Sequence, residues 1–169
     1  MAGIEVRPLA DEELGQLERR ILRPPGMHRE RLGMQRDGLV LYLVAWHGND
    51  PVGQALLRWA GTSREPMASR LAPCPTLSDL FVVAERRSRG IGSHMLDAAE
   101  KLARQRGFRR LGLGVATDNV GARALYARRG YVDSGCGEYR SRWIDVGSAG
   151  AEPIREELCV YLVKHLAPP

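Results

Sequence analysis

A basic, glycine-spaced segment near the middle of the chain has the residue types of an anion-binding turn. Arginine occupies positions 86, 87 and 89, and glycine occupies positions 90 and 92. An apolar run precedes the segment and a helical pattern follows it. The first amides of a helix have no partner within the helix, and the helix dipole adds partial positive charge there. Because glycine lets an anion approach such amides closely, the segment predicts a phosphate site.

The segment alone does not identify the ligand. A Walker A loop is excluded, because no Gly-Lys-Ser/Thr follows the glycines. A dinucleotide fingerprint is excluded as well, since Gly-x-Gly-x-x-Gly would require glycine in place of Met95. A plain strand-to-helix connection with solvated arginines has the same sequence, and that alternative stays open at this point.

The elements that must hold this turn alternate between strands and helices. We predict a strand over Thr76 to Val83 before it and a helix over Ile91 to Arg106 after it, because apolar residues recur there with a helical period. Other strands are predicted at 4–9, 39–47, 51–60, about 111–115, 132–144 and 157–165. Other helices are predicted after Asp11, which is expected to be an N-cap, around 28–34 and over 119–129, and loops are predicted at 61–75 and 147–152. This order indicates an α/β domain of the α+β type with a mostly antiparallel sheet.

Length and composition limit the classes of protein to which the chain can belong. The 169 residues, 44% of them hydrophobic, fit a single domain over 1–169. No apolar run approaches the roughly 20 residues of a membrane span, and the first residues lack a secretory signal pattern, so we expect a cytoplasmic protein without a membrane partner. Three scattered cysteines and four histidines have no ligand spacing, which predicts no metal site. The net charge is +5, but the basic residues are scattered among acidic ones, so we expect no nucleic-acid partner.

Two spacings together indicate a family. They are Arg87-x-x-Gly90-x-Gly92 after the fourth predicted strand, and Asn119-x-x-Ala122-x-x-Leu125-Tyr126 with Gly130-Tyr131 after the fifth. In this order they resemble the two acyl-CoA motifs of the GNAT-type N-acetyltransferases, and the element order is similar across nearly the whole chain. The resemblance implies a GNAT-like central sheet of about seven strands, flanked by helices and splayed between strands four and five.

The resemblance also implies acetyl-CoA, and coenzyme A after transfer, as the cofactor. The pantetheine arm is then expected to add like a strand to the main chain of Leu80, Phe81 and Val82, since an unpaired strand edge offers donors and acceptors. A main-chain N–H near Val82 would polarise the acetyl carbonyl. The pyrophosphate is expected at the amides of seven consecutive residues: Arg87, Ser88, Arg89, Gly90, Ile91, Gly92 and Ser93.

Acyl transfer further needs a proton donor for the leaving thiolate. By resemblance this general acid is Tyr126, which also contacts the cofactor; an aromatic anchor between helix and sheet is the structural alternative for this residue. The resemblance implies a cofactor contact for Asn119 too, and its residue type favours a helix N-cap at the same time.

The acceptor amine must lose a proton before it attacks. Some family members carry a glutamate at the position of Gly114, or near Thr76, and this chain has neither. Asp79 and Glu138 are the substitutes that we consider as general base, with ordinary surface carboxylates as the alternative. Proton removal by water, or an acceptor with a low pKa of its own, also stays open.

These observations predict an acetyl-CoA-dependent N-acetyltransferase that acts on a primary amine of a small molecule or peptide. A non-catalytic acyl-CoA-binding regulatory domain is the alternative, favoured by the missing glutamates. The acceptor is expected against the first helices, the Gly61 to Pro75 loop and the final hairpin. That hairpin also offers a strand edge for a homodimer.

Overall fold

The computed structural model describes residues 3–144 and 154–168. Within these residues seven strands form one sheet in the order β1-β2-β3-β4-β5-β7-β6. The strands are β1 (Ile4–Pro8), β2 (Val40–His47), β3 (Asp50–Arg58), β4 (Thr76–Val82), β5 (Arg110–Ala116), β6 (Val132–Ile144) and β7 (Ile154–His165). The helices around them are α1 (Leu14–Arg20), α2 (Met27–Arg36), α3 (Met67–Leu71), α4 (Ile91–Gln105) and α5 (Val120–Arg128). Neighbouring strands are antiparallel except β4 and β5, which confirms the predicted fold class.

The core is built around β2 and β3, whose residues are buried over almost their whole length. Both strands read as apolar runs without alternation, which is typical of strands covered on both faces. The helix α4 packs against β1 to β5, while α2 packs against β2 and α1 against β3. On α4 the buried face includes Met95, Leu96 and Ala99, at the helical spacing that the sequence predicts.

Several local predictions differ from the structure. Asp11 is not the N-cap of the first helical segment: Ala10 is, and the Glu13 carboxylate accepts a hydrogen bond from its N–H at 3.0 Å. The loop predicted over 61–75 contains the five-residue helix α3, and β7 begins three residues before the predicted start. The loop predicted over 147–152 lies outside the described residues. No helix in the described ranges is long and apolar enough to span a membrane.

The sheet opens between β4 and β5. These strands pair only at Thr76 with Gly112 and at Leu77 with Leu113, although β4 continues to Val82. The other edge of β4 stays paired with β3, where the register shifts between residues 54 and 56. Such a bulge increases local twist and bends the strand, so β4 diverges from β5 and leaves an open edge. This is the splay that the family resemblance implies.

Candidate functional site

A groove of about 510 Å³ lies where the open end of β4 meets the basic segment and two helices. Its lining comes from β4 (Leu80, Val82), the basic segment (Arg86, Arg87, Ser88, Gly90), the first turn of α4 (Ile91, Gly92, Ser93) and α5 (Gly121, Ala122, Leu125, Tyr126, Arg128). Residues that are more than 40 positions apart in the sequence therefore face one volume. The groove is walled by apolar side chains and carries three arginines, so it suits a ligand with an apolar and an anionic part.

The turn at the mouth of the groove presents free main-chain amides. In the described part of the chain, no main-chain carbonyl accepts a hydrogen bond from the amides of residues 88–93, whereas His94 N–H bonds the Gly90 carbonyl at 3.1 Å. Gly90 is the N-cap of α4 and has a φ of 80°, which glycine adopts without a steric penalty. The predicted anion turn is therefore a run of unpaired amides at the positive end of a 15-residue helix.

The main chain of β4 faces the groove at alternate residues. The Val83 N–H bonds the Val52 carbonyl of β3 at 3.0 Å. Main-chain polar groups alternate in direction along a strand, so those of Val82 and Leu80 point to the opposite edge, toward β5. The Arg87 Nε donates to the Val82 carbonyl at 3.0 Å, which is consistent with this direction.

Tyr126 is the aromatic group in the wall of the groove. Its side chain is 7% exposed and packs edge-on against Tyr131, with ring centroids 6.0 Å apart. Burial raises the pKa of Tyr126 to about 12, so the hydroxyl keeps its proton at neutral pH and can act as a donor. The residue is thus both an aromatic anchor and a potential proton donor.

The two carboxylates considered as bases lie outside the groove lining. Asp79 is at the bulge of β4, and its oxygens accept hydrogen bonds from Gln54, Arg31 and Arg23. Glu138 is exposed on the edge strand β6, opposite Val160 of β7. Among the described residues, neither carboxylate forms a hydrogen bond with the hydroxyl of Tyr126.

Comparison with known proteins decides the family. A model of the acetyltransferase (GNAT) family matches residues 9–131, nearly three quarters of the chain. The chain belongs to the GNAT acetyltransferase family. An uncharacterized N-acetyltransferase of Bacillus subtilis strain 168, YhfO, is 42% identical over 57 residues, which are 34% of this chain and 38% of that protein.

Solved GNAT structures share the fold over almost the whole chain. A ribosomal-protein-alanine N-acetyltransferase from Brucella melitensis has a TM-score of 0.67 at 22% identity, covering 96% of this chain and 99% of its own. A GNAT acetyltransferase from Elizabethkingia anophelis, solved with acetyl-CoA bound, has a TM-score of 0.61 at 15% identity, covering 98% of this chain and 100% of its own. At these identities the likeness is one of fold.

Most of the predicted cofactor residues of this GNAT chain line the groove, and three do not. Phe81 points away and lies under the guanidinium groups of Arg23 and Arg87, 4.4 and 5.7 Å from its ring. Arg89 is exposed beside the groove. Asn119 is the N-cap of α5, where its Oδ1 accepts a hydrogen bond from the Ala122 N–H at 3.1 Å.

Four groove residues are not among the predicted site residues: Gly121, Ala122, Leu125 and Arg128. Ala122 and Leu125 stand in the second family motif, and the helical spacing of 121, 122, 125 and 128 identifies one face of α5. Once Tyr126 is placed in the site, this spacing predicts the same face. Arg86 belongs to the basic segment that predicts the phosphate site.

Tyrosine hydroxyls lie beside Gly114 and Thr76, the two places for which the resemblance suggests a glutamate. A Cβ at Gly114 would collide with the hydroxyl of Tyr139, and one at Gly112 would collide with Tyr161. The Tyr161 hydroxyl is also 2.5 Å from Thr76 Oγ1. Burial raises the pKa of Tyr139 to about 12, so this hydroxyl is protonated at neutral pH and does not replace a carboxylate as a base. No group of three His, Cys, Asp or Glu side chains suited to a metal ion occurs in the described residues.

Proposed function

We propose that this protein is an acetyl-CoA-dependent N-acetyltransferase that transfers an acetyl group to a primary amine of a small molecule or peptide. The observation that carries the proposal is that the open end of β4 and the turn that carries the unpaired amides of residues 88–93 border one groove. Coenzyme A has an amide-bearing arm joined to a diphosphate. A strand edge followed by an anion turn offers complementary groups in the same order.

Each part of the groove then has a role in binding. Acetyl-CoA supplies an activated acyl group as a thioester. The main chain of Leu80 and Val82 pairs with the pantetheine arm, and the Val82 N–H polarises the reacting carbonyl. The amides of residues 88–93 hold the pyrophosphate, and the side chains of Arg86, Arg87 and Arg128 add positive charge around it.

Tyr126 is the proton donor to the leaving sulfur in this proposal. A thiolate has a pKa of about 8.5, so it leaves readily and needs a hydrogen bond rather than a strong acid. The Tyr126 hydroxyl, with a pKa of about 12, stays protonated over the working range. Its place in the groove wall supports this role.

We further propose that neither Asp79 nor Glu138 removes the proton from the acceptor. Asp79 is engaged by three side chains, and Glu138 lies on an edge strand. The positions of Gly112 and Gly114 are closed by tyrosine hydroxyls. The attacking amine then reaches the site in its neutral form, after losing its proton to water.

The pH dependence tests this assignment. We expect kcat/KM to rise about tenfold per pH unit until the pKa of the acceptor itself, because the neutral amine fraction rises at that rate. No fall is expected below pH 10, since Tyr126 loses its proton only near its pKa of about 12. Initial rates with two amines of different pKa measure this. If kcat/KM instead stopped rising at the same pH for both amines, the group that titrates would be a base of the enzyme.

Turnover separates the proposal from the regulatory alternative, which the absence of a carboxylate beside Gly114 favours. The protein is incubated with acetyl-CoA and a panel of diamines, amino acids, aminoglycosides and short peptides, and the released thiol is measured. Amine-dependent thiol release supports the transferase. Tight binding of acetyl-CoA without thiol release for any amine class would support the regulatory domain.

A further inference from the structure

The bulge of β4 has an unusual backbone conformation. Two residues of β4, Asp79 and Leu80, lie opposite one residue of β3, Ala55. Asp79 has a φ of 50°, in the left-handed region that residues other than glycine rarely adopt. Such a conformation persists only where surrounding groups hold it. The side chain of Asp79 therefore needs partners.

Asp79 has three of them. Its Oδ2 accepts hydrogen bonds from Gln54 Nε2 at 2.7 Å and from Arg31 at 2.6 Å, and its Oδ1 accepts one from Arg23 at 3.3 Å. The two arginine side chains are only 12% and 15% exposed, whereas the carboxylate is 34% exposed. Because the donors come from β3 and from the first helical region, they tie the bulge to two separate elements.

The contact with Gln54 continues through the core. Gln54 Oε1 is 2.5 Å from the Tyr42 hydroxyl, which is 2.6 Å from His28 Nδ1, and His28 Nε2 is 2.7 Å from the Ile21 carbonyl. Gln54 and Tyr42 have no exposed surface, and His28 is 4% exposed. An unbroken polar chain, the His28–Tyr42–Gln54–Asp79 chain, thus runs from α2 through β2 and β3 to the bulge. Buried polar chains of this kind fix one arrangement when their members are satisfied.

We infer that Asp79 is a positioning residue, and that the His28–Tyr42–Gln54–Asp79 chain holds the β4 bulge so that Leu80 and Val82 face the gap beside β5. This inference rests on the proposed function, because it assigns to that edge the binding of pantetheine and the polarisation of the acyl carbonyl. In this inference Asp79 positions main-chain groups of β4 and does not act as the general base.

The conservative variant Asp79→Asn separates these two tasks. Asp79 Oδ2 accepts from both Gln54 Nε2 and Arg31, so the single amide oxygen of an asparagine can take that place and keep both contacts. The amide NH2 group then takes the place of Oδ1, where the longer contact with Arg23 is lost. Asp79→Asn therefore keeps the contact with Gln54 and removes any base.

Three variants test the inference. Asp79→Asn keeps the chain, Asp79→Gly tolerates the left-handed conformation but removes the tether, and Tyr42→Phe breaks the chain in the core. Tyr131→Phe is the matched control, because it too removes a buried tyrosine hydroxyl. That hydroxyl donates to the Glu100 carboxylate and does not belong to the chain. We expect kcat to fall about 100-fold in Asp79→Gly and Tyr42→Phe, the scale of a misplacement of about 1 Å, and less than tenfold in Asp79→Asn.

Two readouts do not depend on turnover. Hydrogen exchange at Phe81 and Val83 reports whether the bulge stays on β3, with amides of β2 reporting global stability. The affinities for coenzyme A and for ADP, which lacks the pantetheine arm, are compared by calorimetry. We expect faster exchange at Phe81 and Val83 and about tenfold weaker coenzyme A binding in Asp79→Gly and Tyr42→Phe, with ADP binding unchanged.

Each outcome decides the matter. Wild-type exchange at Phe81 and Val83 in both Asp79→Gly and Tyr42→Phe would overturn the inference, because the chain would then hold nothing. Equal loss of turnover in Asp79→Asn and Asp79→Gly with unchanged exchange would make Asp79 the base and overturn it as well. If the wild-type protein binds no coenzyme A, the proposed function fails, while exchange still tests whether the chain holds the bulge.

Discussion

Gly121→Glu is expected to weaken coenzyme A binding at least about 100-fold without loss of stability. Gly121 lines the groove on the first turn of α5, and no atom lies within 4 Å of the position that a Cβ would take. A glutamate there projects a negative charge into the space assigned to the pyrophosphate. Two like charges about 6 Å apart repel by about 3 kcal/mol at an effective dielectric constant of about 20, which is about 100-fold in affinity.

The same substitution should stabilise the helix. Glutamate has a higher helix propensity than glycine, and an acidic residue in the first turn interacts favourably with the helix dipole. Thermal unfolding and calorimetric titration of coenzyme A measure the two effects together. Gly121→Gln is the control for side-chain size, and Gly121→Ala should bind as the wild type does. Unchanged affinity in Gly121→Glu would show that the pyrophosphate does not enter this groove.

Gly121 tests the groove more directly than the glycines of the basic turn. Gly90 has a φ of 80°, so any other residue there strains the backbone. A Cβ at Gly92 would lie 3.2 Å from Leu125 Cδ2, so a substitution there also disturbs the contact between α4 and α5. Loss of binding in either case could follow from a local change in structure, whereas Gly121 faces open space.

Tyr126→Phe is expected to lower kcat about 100-fold and to change the KM for acetyl-CoA less than about threefold. The lost group is the proton donor that we propose for the leaving sulfur, and general acids typically contribute 10²–10⁴-fold. The phenyl ring keeps the edge-on contact with Tyr131, so the fold is preserved. Steady-state rates with a saturating amine measure the split between kcat and KM.

Tyr131→Phe serves as the control for this experiment. Tyr131 is equally buried and its ring touches that of Tyr126, but its hydroxyl donates to Glu100 instead of lining the groove. We expect near wild-type kcat in this variant. A wild-type rate in Tyr126→Phe would leave Tyr126 with only its packing role, which is the structural alternative for this residue.

The sequence predicts the sheet, the main helices and the anion turn because local patterns encode them. The apolar period after Gly92 defines α4 closely, and the runs around Tyr42 and Leu56 define two central strands. The role of Asn119 as an N-cap follows from its residue type and is confirmed by its bond to Ala122. These features depend on residues that are neighbours in sequence, so they can be predicted from the sequence.

Features that depend on distant contacts are not encoded locally. Nothing around Asp79 indicates that Gln54, Arg23 and Arg31 meet its carboxylate, because these donors lie 25 to 56 residues away. The fit of the Tyr139 hydroxyl against Gly114 is likewise a result of sheet packing. The short helix α3 is not predictable from the sequence, because its five residues are too few to show a helical period.

The most direct test of the account is a titration of coenzyme A into the ¹⁵N-labelled protein, followed by amide chemical shifts. We expect the largest shifts at residues 88–93, at Leu80 and Val82, and on the face of α5 around Gly121. Shifts confined to another surface, such as the exposed side of α3 at Ser69 and Arg70, with the signals of residues 88–93 unchanged, would contradict the proposed site.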